Sequence, residues 1–153
     1  MSKMSNKAAG NGFESGFVRL LSGQGFWVHR FQDNRNGQPC DVIAARNGHT
    51  YLFDCKDCRG EQFLLRRIEE NQYNAMKLFE LSGNSRGMFA IRFHNPEEIY
   101  LVEYWQLSAL REQGAKQVGR FDCRMYGREL GAWIRNKNQT DGWCEEDGDL
   151  HWQ

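Results

Sequence analysis

Residues 40–56 carry the sequence CDVIAARNGHTYLFDCK, in which two apolar segments flank Asn47-Gly48. An Asn-Gly pair in this setting is the strongest short-range signal for a β-hairpin with a two-residue turn. In the register that this turn sets, Asp41 faces Asp54 across the hairpin. Lys56 follows Asp54 by two positions and therefore projects from the same face of the sheet. The hairpin thus predicts two carboxylates and one ammonium group close together.

A pair of opposed carboxylates suggests a metal site. Directly opposed residues have Cβ atoms about 4.5–5.5 Å apart, and two like charges at that separation repel by about 3 kcal/mol at an effective dielectric near 20. Folding gains nothing from this repulsion, whereas a divalent cation removes it. Two carboxylates suit Mg²⁺, with Mn²⁺ as the substitute. The alternative is that Asp41 ends a turn and that Asp54 and Lys56 form a modest ion pair.

Two further polar residues occupy positions where the helical pattern favours an apolar side chain. Glu14 shares a helical stripe with Val18 and Leu21, and Gln72 lies on the inner stripe of a later helix. Each, taken alone, is equally well explained as a boundary residue. Taken with the charged residues of the hairpin, they are candidates for a second carboxylate near the metal and for an orienting amide.

Hydrophobic periodicity predicts the other elements. The helical period occurs in residues 12–22, 63–81 and 103–113, and strand-like segments occur in residues 26–32, 88–93 and 99–102. Both faces of the hairpin are otherwise apolar, which indicates helices on both sides of the sheet. We therefore expect an α/β fold with a central mixed sheet of about five strands flanked by helices.

The length of 153 residues suits one domain with a substantial core. Residues 1–11 are small and polar and predict a flexible arm. We expect the core to cover residues 12–113. Residues 114–153 change in composition, with basic residues concentrated before residue 138 and acidic ones after it. This last segment is expected to be a C-terminal appendix, whose structure the pattern leaves open.

Charge and hydropathy restrict the possible partners and location. Lysine and arginine number 20, as do aspartate and glutamate, so the chain is not a globally basic nucleic-acid coat and any polyanion site must be local. No stretch approaches the roughly 18–20 apolar residues that span a bilayer. Five cysteines, an odd number, suit reduced thiols. We expect a cytoplasmic protein without a membrane partner.

Cys55 and Cys58 have the CxxC spacing of many zinc sites. A tetrahedral zinc site needs two more ligands, and no other cysteine or histidine pair has a matching spacing. Core packing of Cys55 is therefore favoured over zinc binding.

The motifs resemble a known group of enzymes. The arrangement of Glu14, Asp41, Asp54-Cys55-Lys56 and Gln72 over a helix, a hairpin and a second helix resembles the PD-(D/E)XK nuclease superfamily. Within it the chain looks like the Holliday junction resolvases. Residues 12–14, 25–30 and 40–44 resemble the archaeal type, and residues 63–72 and 88–93 resemble the RecU type.

This resemblance implies a restriction-endonuclease-like core and a Mg²⁺-dependent endodeoxyribonuclease that cleaves four-way DNA junctions. It implies that Asp41 and Asp54 bind the metal together with the backbone carbonyl of Cys55. Glu14 would bind a second ion or a metal-bound water. Lys56 would position or help to deprotonate the attacking water, and Gln72 would hold Lys56 or that water in place.

The resemblance also implies partners. Arg30, Arg35 and Arg59 lie in or beside loops at the predicted strand ends, where they can contact phosphates. A branched junction has near two-fold symmetry and needs two cuts, which implies a homodimer. Two alternatives remain open: another endonuclease of the superfamily, of the restriction or repair type, or a non-catalytic DNA-binding protein that uses the basic segment.

Overall fold

The computed structural model describes residues 6–32, 39–146 and 149–152, with side-chain surroundings described for residues 12–32 and 39–144. The helices in these ranges are α1 (Asn6–Gly23), α2 (Glu70–Leu81), α3 (Tyr104–Glu112), α4 (Arg120–Tyr126) and α5 (Leu130–Asp141). The strands are β1 (Trp27–Arg30), β2 (Val42–Arg46), β3 (His49–Asp57), β4 (Gln62–Leu64), β5 (Met88–Phe93), β6 (Glu98–Glu103), β7 (Gln117–Gly119), β8 (Arg128–Glu129), β9 (Trp143–Glu146) and β10 (Asp149–Trp152).

The central sheet has six strands in the order β1-β2-β3-β5-β6-β8. The pairing of β3 with β5 is parallel, and the other neighbours in this sheet are antiparallel. This arrangement confirms the predicted α/β fold with a mixed sheet. The sixth strand is β8, which comes from the segment 114–153 and was not expected from the sequence.

The hairpin of β2 and β3 has the predicted register. Asn47 and Gly48 have φ angles of 53° and 77°, as a two-residue turn that matches the strand twist requires. Pairing runs from Arg46↔His49 to Val42↔Phe53. Because side chains alternate along a strand, this register determines which residues face each side of the sheet.

Helices cover both faces of the sheet, as expected. On one face, α1 and α5 pack against the even-numbered residues of β2 through a cluster that includes Phe17, Phe53 and Trp133. On the other face, α2 and α3 pack through a second cluster that includes Met76, Phe89 and Leu107. None of the helices within the described residues has the length and apolar character needed to span a bilayer.

The helix predicted over residues 63–81 is wrong in its first part. Residues 62–64 form β4, whose Phe63 pairs with Val118 of β7, and α2 begins only after Glu69, where Gln72 completes a capping box. A short apolar run fits a strand and a helix equally well. The partner strand lies more than 50 residues later, so local periodicity does not reveal it.

The N-terminal boundary also differs from expectation, because α1 begins at Asn6, inside the predicted arm. Residues 1–5 of that arm lie outside the described residues.

The C-terminal segment is anchored to the hairpin by a buried ion pair. Arg46 at the end of β2 donates from Nε to Asp141 Oδ2 at 2.9 Å, and both side chains are 1% exposed. The same guanidinium donates to Asn138 Oδ1 at 2.8 Å and lies 3.9 Å from the centre of the Phe26 ring. This contact joins α5 to the first half of the chain.

We predict that Arg46→Met lowers the free energy of unfolding by about 3–5 kcal/mol, because it leaves the Asp141 carboxylate buried without its cation. The double variant Arg46→Met/Asp141→Leu should recover much of this loss, since neither charge then remains buried. Urea unfolding measures both.

The matched control is Arg86→Met, which removes an exposed ion pair to Glu80 and should cost less than about 1 kcal/mol. A loss for Arg46→Met as small as that of the control would contradict an anchoring role for the buried pair.

Candidate active site

Asp54 and Lys56 lie side by side on β3, on the face of the sheet that α2 covers. Lys56 Nζ is 3.0 Å from Asp54 Oδ2, and the two side chains are 14% and 2% exposed. The carboxyl group of Asp41 is in contact with that of Asp54. The three charged groups that the hairpin pattern predicts to be close are therefore brought together.

The backbone at Asp41 differs in detail from the ideal ladder. Its N–H donates to the Phe53 carbonyl at 3.1 Å, and its own carbonyl accepts from the Phe31 N–H at 2.8 Å. Its carboxylate accepts from the Cys55 N–H at 2.8 Å. Asp41 is thus fixed between the first strand and β3, with one carboxylate oxygen bound to the backbone of the residue that follows Asp54.

Asp54 is an ionisable group in an unfavourable environment. Burial, together with the neighbouring Asp41 carboxylate, raises the pKa of Asp54 to about 8 although Lys56 acts to lower it. Asp54 Oδ2 is buried and accepts no hydrogen bond of acceptable geometry in the described part of the chain, even with Lys56 Nζ nearby. A buried oxygen left in this way needs an explanation, and a cation ligand is one.

Glu14 reaches the site from the other side of the sheet. It extends from α1 and forms an ion pair with Arg30, whose Nη2 is 2.8 Å from Glu14 Oε2. Ser15 Oγ accepts a further hydrogen bond from the same guanidinium at 3.0 Å. Both charges act on the buried thiol of Cys55, as do Asp41 and Asp54, so Glu14 and Arg30 lie near the same part of β3.

Gln72 is buried at the start of α2, where its side chain has a local partner. Its Oε1 accepts from the Glu69 N–H at 3.0 Å and completes the capping box. This bond places the amide carbonyl in the cap of α2, and the orienting role of Gln72 stays a prediction.

Of the other arginines predicted to contact DNA, Arg59 is exposed in the segment between β3 and β4. Arg35 lies outside the described residues. The two cysteines of the CxxC motif are separated by the sheet, because Cys55 packs against the α1-side cluster and Cys58 belongs to the α2-side cluster. This separation agrees with the packing role favoured for Cys55.

Sequence reasoning missed one buried charged group beside the site. Asp57, at the end of β3, accepts from Arg92 Nε at 2.6 Å and lies 2.9 Å from His94 Nε2. Burial opposes ionisation, yet the hydrogen bonds from Arg92 and His94 outweigh it and lower the pKa of Asp57. Asp57 faces Arg92 through the parallel pairing of β3 with β5. No local signal predicts a pairing between strands so far apart in sequence.

The donor set fits a magnesium ion. Within the described ranges, no group of three or more histidine, cysteine, aspartate or glutamate side chains is placed to hold a metal, so Glu14 is not gathered with Asp41 and Asp54 into one ligand set. Asp41 and Asp54 supply two adjacent carboxylates, and the buried Oδ2 of Asp54 has the Lys56 ammonium 3.0 Å away as its ion-pair partner. Magnesium in nucleotide-processing sites is typically held by one or two carboxylates, with waters and substrate phosphates as the other ligands.

Comparison with known proteins identifies the family. The family model "RecU: Recombination protein U" matches residues 31–130, which include β2, β3, α2 and both aspartates of the site. The chain belongs to the RecU family. This family comprises Holliday junction resolvases and confirms the resemblance inferred from the motifs.

A solved structure has the same fold. Hjc, a Holliday junction resolvase from the archaeal hyperthermophile Archaeoglobus fulgidus, superposes with a TM-score of 0.63 at 16% sequence identity. The match covers 83% of this chain and 96% of the Hjc chain. No curated protein matches the sequence significantly. At this identity the Hjc match shows a shared fold, while the family model supplies the membership.

We predict that the metal-free protein loses stability as the pH rises from about 4 to about 8. Because the pKa of Asp54 is raised to about 8 in the folded state, against about 3.9 in an unfolded chain, the folded protein binds more protons across this interval. Stability then falls with rising pH. Asp54→Asn removes this contribution, and urea unfolding in a chelator at pH 5 and pH 8 measures it.

The expected result is that Asp54→Asn is more stable relative to the parent at pH 8 than at pH 5. Glu112→Gln, which alters an exposed carboxylate, serves as the control. Its free energy of unfolding should change between pH 5 and pH 8 by the same amount as that of the parent. An equal change in the free energy of unfolding between pH 5 and pH 8 for Asp54→Asn and the parent would contradict the raised pKa of Asp54.

Proposed function

We propose that this RecU-family protein is a metal-dependent, structure-selective DNA endonuclease, a Holliday junction resolvase that hydrolyses phosphodiester bonds. The observation that carries the proposal is the contact of the buried Asp54 carboxylate with Asp41 and Lys56. Such a group is costly for folding alone, since burial and a like charge both oppose its ionisation. Strongly perturbed carboxyl groups of this kind concentrate at functional sites.

Asp41 and Asp54 are the residues that would hold Mg²⁺, with Mn²⁺ as a substitute and the Cys55 carbonyl as a further ligand. When bound, the ion lowers the pKa of a coordinated water and offsets negative charge on the scissile phosphate. The chain contributes the position of both carboxylates. The Cys55 N–H holds one oxygen of Asp41 at 2.8 Å and so orients that carboxylate toward β3.

Lys56 is the proposed electrostatic group. Its ammonium is largely shielded from solvent and lies next to Asp54, so it can donate a hydrogen bond to the attacking water or to the negative charge that develops on the phosphate. In this role it also partly offsets the repulsion between the two aspartates. Gln72 is proposed to orient Lys56 or the water through its amide NH₂.

Glu14 and the arginines are proposed to act around this centre. Glu14 would bind a second ion or a water next to the first, held in place by Arg30. Arg30 has a side chain 34% exposed and remains accessible to a phosphate on its outer side. Arg35 and Arg59 are proposed as further phosphate contacts. Such contacts position the DNA without reading its sequence.

The proposed substrate is branched DNA bound by a homodimer. A formal net charge of zero disfavours tight, indiscriminate binding to long duplex, because that affinity depends on how many phosphates are neutralised. A bent four-way junction brings several phosphates to local basic residues at once. A two-fold dimer would present two active sites to the two strands that need cutting.

We predict that Lys56→Ala lowers the rate of DNA cleavage roughly 100-fold or more, the scale of a positioned acid–base group. Metal binding should survive, because lysine is not a ligand. Asp54→Asn should abolish both cleavage and Mg²⁺ binding. Single-turnover cleavage and calorimetric titration with Mg²⁺ measure these effects.

Lys77→Ala removes an exposed lysine of α2 and should cut at the parental rate. Undiminished Mg²⁺ binding by Asp54→Asn would contradict the role of Asp54 as a metal ligand. Cleavage by Lys56→Ala at the parental rate would show that Lys56 is only an ion-pair partner of Asp54.

A cleavage panel of four-way junction, flap, duplex and single strand tests the proposed substrate. The junction should be cut in preference to the others. The inactive Asp54→Asn protein should bind the junction at least ~10-fold more tightly than duplex of equal length, which requires only about 1.4 kcal/mol. Arg35→Ala should weaken junction binding. Equal affinity for the two substrates, with cutting of plain duplex, would instead indicate a general endonuclease.

A further inference from the structure

An aromatic row runs along the first strand of the sheet. β1 is an edge strand whose neighbour in the sheet is β2, and it pairs Trp27 with Ala45 and His29 with Ile43. Because side chains alternate, Trp27, His29 and Phe31 project from one face. We call these three residues the aromatic row.

The aromatic row shares its face of the sheet with the candidate active site. Ile43 pairs with Leu52 on β3, and Leu52 lies two positions before Asp54 on the same face. Phe31 donates its N–H to the Asp41 carbonyl at 2.8 Å. The inner end of the row therefore adjoins Asp41. At about 3.3 Å per residue, Trp27 lies about 13 Å farther out.

The outer part of the row is exposed to solvent. Trp27 is 62% exposed and His29 is also exposed, whereas Phe31 is half-buried and packs against the α2-side cluster. The Trp27 and His29 rings are nearly parallel, with 17° between their planes and 6.3 Å between their centres. An exposed tryptophan contributes little to folding, and exposed aromatic groups beside a site often mark a binding surface.

We infer that the aromatic row binds unpaired nucleobases of the DNA strand that passes through the active site, an inference that rests on the proposed nuclease function. Every base has a flat π face that stacks on an aromatic side chain whatever the sequence. β1 contains no aspartate or glutamate, so the phosphates of such a strand meet no carboxylate from this element.

The ring spacing favours unpaired bases over duplex. Successive bases in a B-form strand are about 3.4 Å apart, whereas the nearly parallel Trp27 and His29 rings lie 6.3 Å apart. The Phe31 ring is nearly perpendicular to His29, at 86°, and closes the inner end of the row without adding a parallel surface. A paired strand cannot place consecutive bases on consecutive rings at these distances. A strand with unpaired bases can extend to match them, as at a branch point or an opened end.

The size of the row argues against a second protein chain as its occupant. An aromatic side chain buries about 150–250 Å², and one of the three is already half-buried. A stable protein interface needs about 800 Å² from each partner. The row on its own falls short of that area, while the Trp27 and His29 rings are sufficient for one or two bases.

The test compares Trp27→Ala with its parent on two DNA substrates, both proteins carrying Asp54→Asn so that binding is measured without cleavage. One substrate has several unpaired nucleotides beside the expected cut position, and the other is fully paired. Trp27→Ala should weaken binding to the first by roughly 5- to 100-fold, the scale of one lost stacking contact. Binding to the paired substrate should change less than about 2-fold. Trp27→Tyr should bind both substrates like the parent.

Trp105→Ala is the matched control. Trp105 is also exposed, at 41%, but lies on α3, where its ring faces the Arg86 guanidinium. Loss of the Trp105 ring should not change the affinity for either substrate. A 5-iododeoxyuridine base stepped through the unpaired segment should crosslink to Trp27 at one position on irradiation, and mass spectrometry identifies the crosslinked residue.

Parental binding of the unpaired substrate by Trp27→Ala would overturn the inference, as would an equal loss on both substrates. A fall in dimer mass for Trp27→Ala in sedimentation without DNA would overturn it in favour of a protein interface. Failure of the protein with Asp54 intact to cut any DNA would contradict the proposed nuclease function instead. The binding and crosslinking results are read independently of cleavage, so the two failures are distinguishable.

Discussion

The two-residue turn at Asn47-Gly48, with positive φ at both residues, sets the register on which the site depends. Side chains alternate along a strand, so a slip of one residue would move Asp54 and Lys56 to the opposite face and bring Phe53 to the site. The observed pairing from Arg46↔His49 to Val42↔Phe53 prevents this. One short turn thus assigns Asp54 and Lys56 to one side of β3 and Tyr51 and Phe53 to the other.

Asp54 shows how the requirements of the site oppose those of folding. Its carboxyl group is buried, and its pKa is raised to about 8. Ionising Asp54 therefore lowers the stability of the metal-free fold. The surrounding structure holds it there, including the capping box of α2 that Gln72 completes and the buried Asp57–Arg92 pair at the end of β3. The candidate site is held in position by elements that are stable for other reasons.

The C-terminal segment completes the core. Trp133 of α5 packs against Phe26 and Phe53, and Asp141 binds the Arg46 guanidinium. The residues that the sequence separates as an appendix therefore cover the α1 side of the hairpin. Asp54 and a helix more than 75 residues later are thus linked through the same two strands.

The sequence alone determined the hairpin, its register, the α/β class and the closeness of Asp41, Asp54 and Lys56, because these follow from turn chemistry and from the two-residue period of a strand. Tertiary structure decided the features that depend on distant partners. The parallel pairing of β3 with β5 brings Asp57 next to Arg92. The pairing of β4 with β7 places Phe63 and Leu64, which were predicted as helix, in a strand. The ion pair with Arg30 ties Glu14 of α1 to β1. Local patterns encode the conformation of a segment, whereas the choice of its partner depends on the free energy of the whole packed chain.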